Sequence, residues 1–466
     1  MNLSKCQVFT PRDTVHYMLD RVGYIENVFG KRIIDNSCGT GNILVEVVKR
    51  FISDAKKKKM NKSAIIKGLE SCVHGYDIDP RMVDVCVENL NRTAKELGIS
   101  NHINWKIFVC DGLYINSENK FDYVVGNPPY IAYADLSEAE RKKTRESFSS
   151  CSAGKYDYSY AFIEKGLSML SNNGRMVLLT PSNMFKTVYG YNLRKLIKNE
   201  IIEIIDCSAL NIFKNVLTSP AISIYQKGSN SNLLVYRERF ADKSETERLI
   251  EKRDLAEKWD FTGFVATGEK RFGDYFKVSN SIATLANKVF IHNINEDGTM
   301  EINIEQSVLR TAKSPKTEQY NISQSIIFPY YYDRGKLEHY DEQSFKRQFP
   351  LAYKYLKRKK VDLLARDSDD KAQWFEYGRS QALSHLNCEK VLMSTIITNK
   401  VRAYKLDSST IPYSGLYIIA KKDLTLDSAI VILQSQDFYN YLVSKGVKAR
   451  GESIRISSKD IEDYIF

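Results

Sequence analysis

Asn127-Pro128-Pro129-Tyr130 stands directly after an apolar run, Phe-Asp-Tyr-Val-Val-Gly, at 121–126. The two prolines restrict the backbone, so the Asn127 side chain and the Pro128 carbonyl can face one point. Both are acceptors. An amino group conjugated to a ring is a poor nucleophile, because its lone pair is delocalised. Two acceptors holding its two hydrogens favour a pyramidal nitrogen, with the lone pair aimed at an electrophile. That is positioning plus electrostatic preorganisation, with no strong base. Pro129 keeps the corner rigid, and Tyr130 offers a ring on which a planar base can stack. The plainer alternative is a Pro-Pro turn opened by an asparagine.

Three acids stand at the ends of three earlier strand-like runs. Residues 34–41 read Ile-Asp-Asn-Ser-Cys-Gly-Thr-Gly, after a strand and before a helix. The small residues Cys38, Gly39 and Gly41 let the backbone approach a ligand, and the helix N-terminus adds a positive end. This is neither G-x-G-x-x-G nor a phosphate-binding loop with its lysine. A tight turn without a ligand reads the stretch equally well. Asp77 closes a second strand, where an acid can accept from both ribose hydroxyls, and Ile78 beside it can lie against an adenine face. Asp111 follows a third strand and can accept from an adenine amino group. Each acid alone could be a helix cap or a solvated loop residue. Asp35, Asp77 and Asp111 at successive strand tips point to a nucleoside ligand that needs no phosphate site.

These tips require an α/β frame. Residues 31–35, 73–77, 104–110, 121–126 and 175–180 read as strands. Residues 42–51, 80–97 and 160–170 read as helices, and 193–198, 201–206 and 221–226 add a helix and two strands. The alternation predicts an open twisted sheet with helices on both faces and ligands at the carboxyl ends of its strands. Charge-rich 242–258 is expected to be helical, with a boundary near residue 260. Beyond it the texture changes to Tyr-rich, strand-like pieces, as at 328–332, 391–397 and 416–419.

The chain has 466 residues, 43% hydrophobic and 27% charged, a globular composition that excludes a disordered chain, a fibre or a disulfide miniprotein. No apolar run approaches the roughly 18 residues of a membrane span, and the N-terminus lacks the apolar core of a signal peptide. Eight cysteines without a C-x-x-C pair and six scattered histidines predict reduced thiols and no metal site. The expectation is a soluble, cytoplasmic protein. The net charge is +11 and both halves are basic, which suits a polyanion or a generally basic surface alike. The basic run at 56–59 reads as a solvated helix end.

The ordered series resembles the gamma-class, TaqI-type DNA adenine-N6 methyltransferases. Phe9-Thr10-Pro11 is similar to the family's N-terminal element over the cofactor. The stretch 35–41, Asp77-Ile78, Asp111 and 127–130 follow in the family's order, and Lys155-Tyr156-Asp157 with 162–165 resembles the next block. Asn211-Ile212-Phe213-Lys214 looks like the loop supplying a second ring against an extruded base. More weakly, 328–330, 353–356 and 374–381 resemble pieces of the target-recognition domain. Asn36 departs from the proline that many relatives carry there, and 279–288 lacks glycines often found at that place.

The resemblance implies an S-adenosylmethionine-dependent, Rossmann-like catalytic domain over 1–260 with a mostly parallel sheet. It also implies a mixed α+β target-recognition domain over 261–466. Asn127 and Pro128 would hold the target amino group, with Tyr130 and Phe213 as the two walls around a flipped adenine. Thr10, Asp35, Cys38, Gly39, Gly41, Asp77, Ile78, Asp111 and Asn127 would surround S-adenosylmethionine. Arg379 would touch DNA, as phosphate or guanine partner, with an internal ion pair as its alternative. The partner would be double-stranded DNA in a bacterial or archaeal, nucleoid-associated setting, with room for a separate cognate restriction endonuclease. The same tetrapeptide also serves glutamine methylation of a release factor, whose enzymes lack a long downstream domain. RNA adenine methylation and a catalytically silent DNA- or S-adenosylmethionine-binding module are the other readings.

Overall fold

Strands whose successive side chains enter two different cores build a nine-stranded sheet. The computed structural model describes residues 9–115, 120–210, 212, 219–380, 382–449 and 453–466. It divides into two compact units, Met1–Phe261 with Val447–Gly451, and Thr262–Gly446 with Glu452–Phe466.

The strands of the first unit are β1 (Ile33–Asp35), β2 (Val73–Asp77), β3 (Lys106–Val109), β4 (Phe121–Gly126), β5 (Leu170–Pro181), β6 (Ile201–Asp206), β7 (Pro220–Gln226), β8 (Leu233–Arg239) and β9 (Glu245–Glu251). Their order is β3-β2-β1-β4-β5-β7-β6-β8-β9. The first five run parallel, and β7 is antiparallel to both β5 and β6. Strand order reverses between β1 and β4. There the crossovers leave to opposite faces and open a crevice at the carboxyl ends.

Helices α1 (Arg12–Val22), α2 (Asn42–Lys57), α3 (Lys62–Cys72) and α4 (Pro80–Glu96) cover one face. Their apolar stripes, with Leu19, Val47, Leu69 and Leu90, meet Val125, Val177 and Ile205 of the sheet. On the other face α6 (Ser159–Met169) and α7 (Tyr191–Ile197) pack Ile163, Leu167 and Leu193 against Val124, Met176 and Ile204. Ahead of them along the chain lies α5 (Glu138–Ser147), polar along most of its length and started by a Ser137–Glu140 capping box. The basic run at 56–59 falls at the end of α2, exposed.

Residues 242–258 correct the sequence expectation. They hold no α-helix; β9 pairs antiparallel with β8, and Lys243 at φ 66° lies in the turn between them. The charges explain the pairing. Arg237 stands opposite Glu247, and Arg239 opposite Glu245, each close enough for an ion pair. Arg237 also reaches Glu203 of β6, 2.7 Å away. Cross-strand complementarity outweighs the helix preference of Glu and Arg.

The second unit has mixed α+β texture. One antiparallel sheet runs in the order Phe276–Asn280, Leu416–Ala420, Lys390–Met393, Ala403–Leu406. Another runs Ile291–Asn293, Gln324–Ile327, Leu309–Lys313, Ile411–Pro412. Phe375 and Tyr377 of the 374–381 segment are fully buried, and the Tyr377 hydroxyl donates to the Ile327 carbonyl at 2.7 Å. Residues 375–378 of that segment are therefore a core element. Within 279–288, Leu285 takes φ 54° without a glycine and packs on Gly378.

Candidate active site

The tips of β1, β2 and β4 and the turn after β3 frame one cavity of about 560 Å³. Its wall includes Thr10, Asp35, Cys38, Gly39, Asp77, Ile78, Asp111, Asn127 and Pro129. Four strand-end loops and the segment before α1 thus bring nine of the sequence-selected residues together.

The turn after β1 is held from two sides. The Asp77 carboxylate accepts the Gly39 N–H at 2.8 Å and the Asp79 N–H at 3.0 Å, and the Tyr76 carbonyl accepts the Cys38 N–H. Each carboxylate oxygen retains acceptor capacity for a ligand hydroxyl. Gly41 sits behind the wall at φ +82°, where a Cβ would lie 2.6 Å from the Cys86 sulfur. It shapes the loop and starts α2, outside the cavity lining.

Asp35 is buried and accepts the Ser37 N–H at 3.0 Å. Burial, with the nearby Asp77 charge adding to it, pushes its carboxyl up to about 7 against the Ser37 bond. The Cys86 thiol and burial push the Cys38 thiol up as well, which keeps it un-ionised. Asn36 lies beside them, buried, with both amide atoms lacking a hydrogen-bond partner among the described residues; the Ser37 hydroxyl is in the same condition. Buried polar atoms left this way cost about 1–3 kcal/mol each, which a polar ligand in the cavity would recover.

Asn127 enters at the end of β4. Its Nδ2 donates to the Thr10 hydroxyl at 3.1 Å. That bond sets the carboxamide with its oxygen on the opposite side. Pro128 is buried. Tyr130 is outside the cavity lining: its hydroxyl donates to the Leu179 carbonyl at 3.1 Å, and its ring packs against the core under α1 and α2. Burial raises its phenol far above the ordinary range, so it is a hydrogen-bond donor and a ring surface, never a base. Phe213 lies outside the described residues. Arg379, in the second unit, donates to Asp369 at 3.0 Å and Asp367 at 2.8 Å, the internal ion pair that stood as its alternative.

The structure adds residues to which the sequence reading assigned no role in the site, Phe162 of the 162–165 block among them. Tyr114, Ile131, Tyr158 and Phe162 give the cavity flat and apolar walls, and Glu140 and Lys143 of α5 stand at its rim. The Lys143 ammonium lies 3.4 Å from the centre of the Tyr114 ring. Tyr158 and Phe162 are four apart across the start of a helix, a spacing that places both on one face. Glu140 and Lys143 carried no such signal. Asp35, Asp77, Asp79, Asp111 and Glu140 line the cavity against one lysine. This donor set suits a nucleoside with positive charge and disfavours a pyrophosphate. Among the described residues no group of three His, Cys, Asp or Glu could hold a metal ion.

Comparison with known proteins agrees with this chemistry. Residues 71–213 match the family described as Eco57I restriction-modification methylase. The chain is 22% identical to the Type II restriction enzyme and methyltransferase RM.Eco57I of Escherichia coli, over 82% of this chain and 47% of that protein. It is 24% identical to the Type II methyltransferase M.BstVI of Geobacillus stearothermophilus, over 97% of this chain and 88% of that one. Several relatives are thus matched over about half their length. A structure of the Type IIL restriction-modification enzyme MmeI in complex with DNA superimposes with a TM-score of 0.67 at 14% identity, covering 97% of this chain and 64% of that one, which establishes the shared fold. Methylases take S-adenosylmethionine as cofactor, and the acid tips, the unpartnered Asn36 amide and the apolar walls fit it. Over residues 71–213 the chain is thus similar to an Eco57I-type restriction-modification methylase domain.

Proposed function

We propose that the chain is a site-specific DNA methyltransferase that methylates the N6 amino group of an adenine extruded from duplex DNA. The observation that carries the reading is Asn127. Its carboxamide is oriented by Thr10 on the wall of the same cavity that holds Asp35, Asp77 and Asp111. S-adenosylmethionine supplies a methyl group made electrophilic by its sulfonium. Asp77 accepts from the ribose hydroxyls, Asp111 from the adenine amino group, and Ile78 with Phe162 encloses the ring. The acidic wall at Asp35 favours the cationic end. Asn127 and the Pro128 carbonyl accept the two hydrogens of the target amino group and turn its lone pair toward the methyl. Tyr130, held by Leu179, is the ring that stacks on the target base. Extrusion costs a few kcal/mol, offset by contacts to the backbone. The second unit reads the DNA sequence. The DNA-bound relative of the same fold, matched over 97% of this chain, supports that role. A bacterial or archaeal cytoplasm, and a cognate nuclease supplied separately, complete the proposal.

The test is transfer of labelled methyl from S-adenosylmethionine to duplex DNA, followed by nucleoside analysis for N6-methyldeoxyadenosine. RNA and a glutamine-containing release-factor peptide serve as rival acceptors. Asn127→Ala is expected to slow transfer by about 10²- to 10³-fold or more, the range for removing one preorganised transition-state contact, while cofactor binding persists. Label in RNA or peptide but not DNA, or a variant as active as the parent, overturns the reading.

A further inference from the structure

The helices Glu342–Gln348 and Pro350–Lys357 of the second unit enclose a groove of about 400 Å³. It is lined by Lys346, Pro350, Tyr353, Lys354, Lys357 and Arg358, four cations among six residues. Lys359 and Lys360 follow directly in the chain. Among the described residues none of these cations has a carboxylate within ion-pair distance. The first unit behaves differently: Arg237 pairs with Glu203, Arg50 with Asp20 and Glu46, Lys58 with Asp54.

The acids near the groove are already committed. Asp341 accepts the Ser344 N–H at 2.8 Å and caps its helix. Glu305 accepts the Leu351 and Ala352 N–H groups, at 2.7 and 3.0 Å, at the start of the next helix. Glu342 accepts the Tyr353 hydroxyl at 2.8 Å. The cations are in turn positioned by rings. Lys346 and Lys357 each lie 5.8 Å from the centre of the Tyr353 ring, and Lys360 lies 4.7 Å from that of Trp374. Lys354, Lys357 and Arg358 sit at spacings of three and four residues, which puts them on one helical face about 5–6 Å apart. That is close to the step between successive phosphates of a nucleic-acid strand. Like charges held together this way repel; the Glu342 carboxylate feels Lys357 and Lys360, but among the described residues no acid forms an ion pair with the groove's cations.

We propose that this groove is a phosphodiester clamp: Lys354, Lys357 and Arg358, with Lys346 across from them, grip the backbone of the duplex that the second unit reads. The inference rests on the DNA-methyltransferase reading and adds the surface that holds the DNA. Its contacts are to phosphate, so they contribute affinity and register without sequence preference. Arg379, occupied by Asp367 and Asp369, is not part of it.

The test uses the full chain with Lys354→Gln, Lys357→Gln and Arg358→Gln combined. A matched control carries Lys57→Gln, Lys59→Gln and Lys62→Gln on the exposed surface of the first unit. Fluorescence anisotropy with a labelled duplex is read between 50 and 200 mM salt. Removing one cation from a phosphate flattens the slope of log affinity against log salt by about 0.9, so a flattening of roughly 2–3 is expected for the triple variant. The weakening should be equal for duplexes of unrelated sequence, and the control should retain the parent slope. Should the triple variant fold poorly, Arg358→Gln alone should flatten the slope by about 0.9. Parent-like slopes in the triple and single variants overturn the clamp, as does an equal flattening in the control. A slope change seen with single-stranded RNA but not with duplex DNA overturns it in favour of an RNA surface. If the unaltered chain transfers methyl to DNA while the slopes do not move, the clamp fails alone. If it binds no DNA and methylates none, the functional reading fails with it.

Discussion

Asp35 ties the chemistry of the cofactor cavity to pH. Its carboxyl titrates at about 7 in the fold, against 3.8 for an ordinary aspartate, because burial disfavours the charge. Between those two values the native chain holds a proton that the unfolded chain has released. Stability without ligand therefore falls as pH rises through that window. Asp35→Asn should remove this component, seen as a flatter pH dependence of the denaturation midpoint than in the parent. A cationic ligand beside the carboxylate has the opposite preference and favours the charged form. Binding of S-adenosylmethionine below about pH 7 should therefore expel a proton, and affinity should strengthen as pH rises toward 7. Calorimetry at pH 6.5 in two buffers of different ionisation heat reads the proton directly. Identical heats in both would remove Asp35 as its source. Asn127 shows the complementary principle. Its role depends on which end of a carboxamide faces the target, and the Thr10 hydroxyl decides that by accepting from Nδ2.

Among the elements, the turn after β3 has least tolerance. Gly112 lies so close to the turn after β1 that an added Cβ would meet the Asn36 carbonyl oxygen at 2.3 Å. Backbone on both sides leaves no side chain to rotate away. Gly112→Ala should push the two turns apart and weaken cofactor binding by tenfold or more, about 1.4 kcal/mol. Circular dichroism should remain unchanged, because the sheet itself does not depend on this contact. Unaltered cofactor affinity would mean that the two turns adjust independently. The β8–β9 pair shows how an element can defeat a local reading. Its charges are distributed as on a solvated helix, yet Arg237 and Arg239 find their acids across a ladder.

For the molecule as a whole, the proposed chemistry requires a base to leave the duplex. The cost is least where the base has lost its partner. Once methylation mapping has located the site, a duplex with an abasic position opposite the target adenine should bind more tightly than the paired one. The gain should be up to the few kcal/mol of unpairing. Titration by anisotropy with both duplexes measures it, and equal affinities would argue against extrusion.

Strands β2, β4 and β6 coincide with the runs read from sequence, because each is a short run buried along most of its length, a pattern that is local in the chain. Helices Arg12–Val22, Lys62–Cys72 and Glu138–Ser147 fall outside that reading. The last of these is amphipathic only weakly and owes its place to a capping box and its neighbours. The order of acids and the Asn-Pro-Pro-Tyr corner were legible because each is a local pattern at a strand tip. That four tips converge on one cavity, that Tyr130 faces Leu179, that Arg379 is taken by two aspartates, and that Glu140 and Lys143 reach the rim were decided only by the fold. The physical reason is range. Strand and turn preferences act over a few residues, whereas partners here stand 117 residues apart for Thr10 and Asn127, and only packing brings such groups within a hydrogen bond.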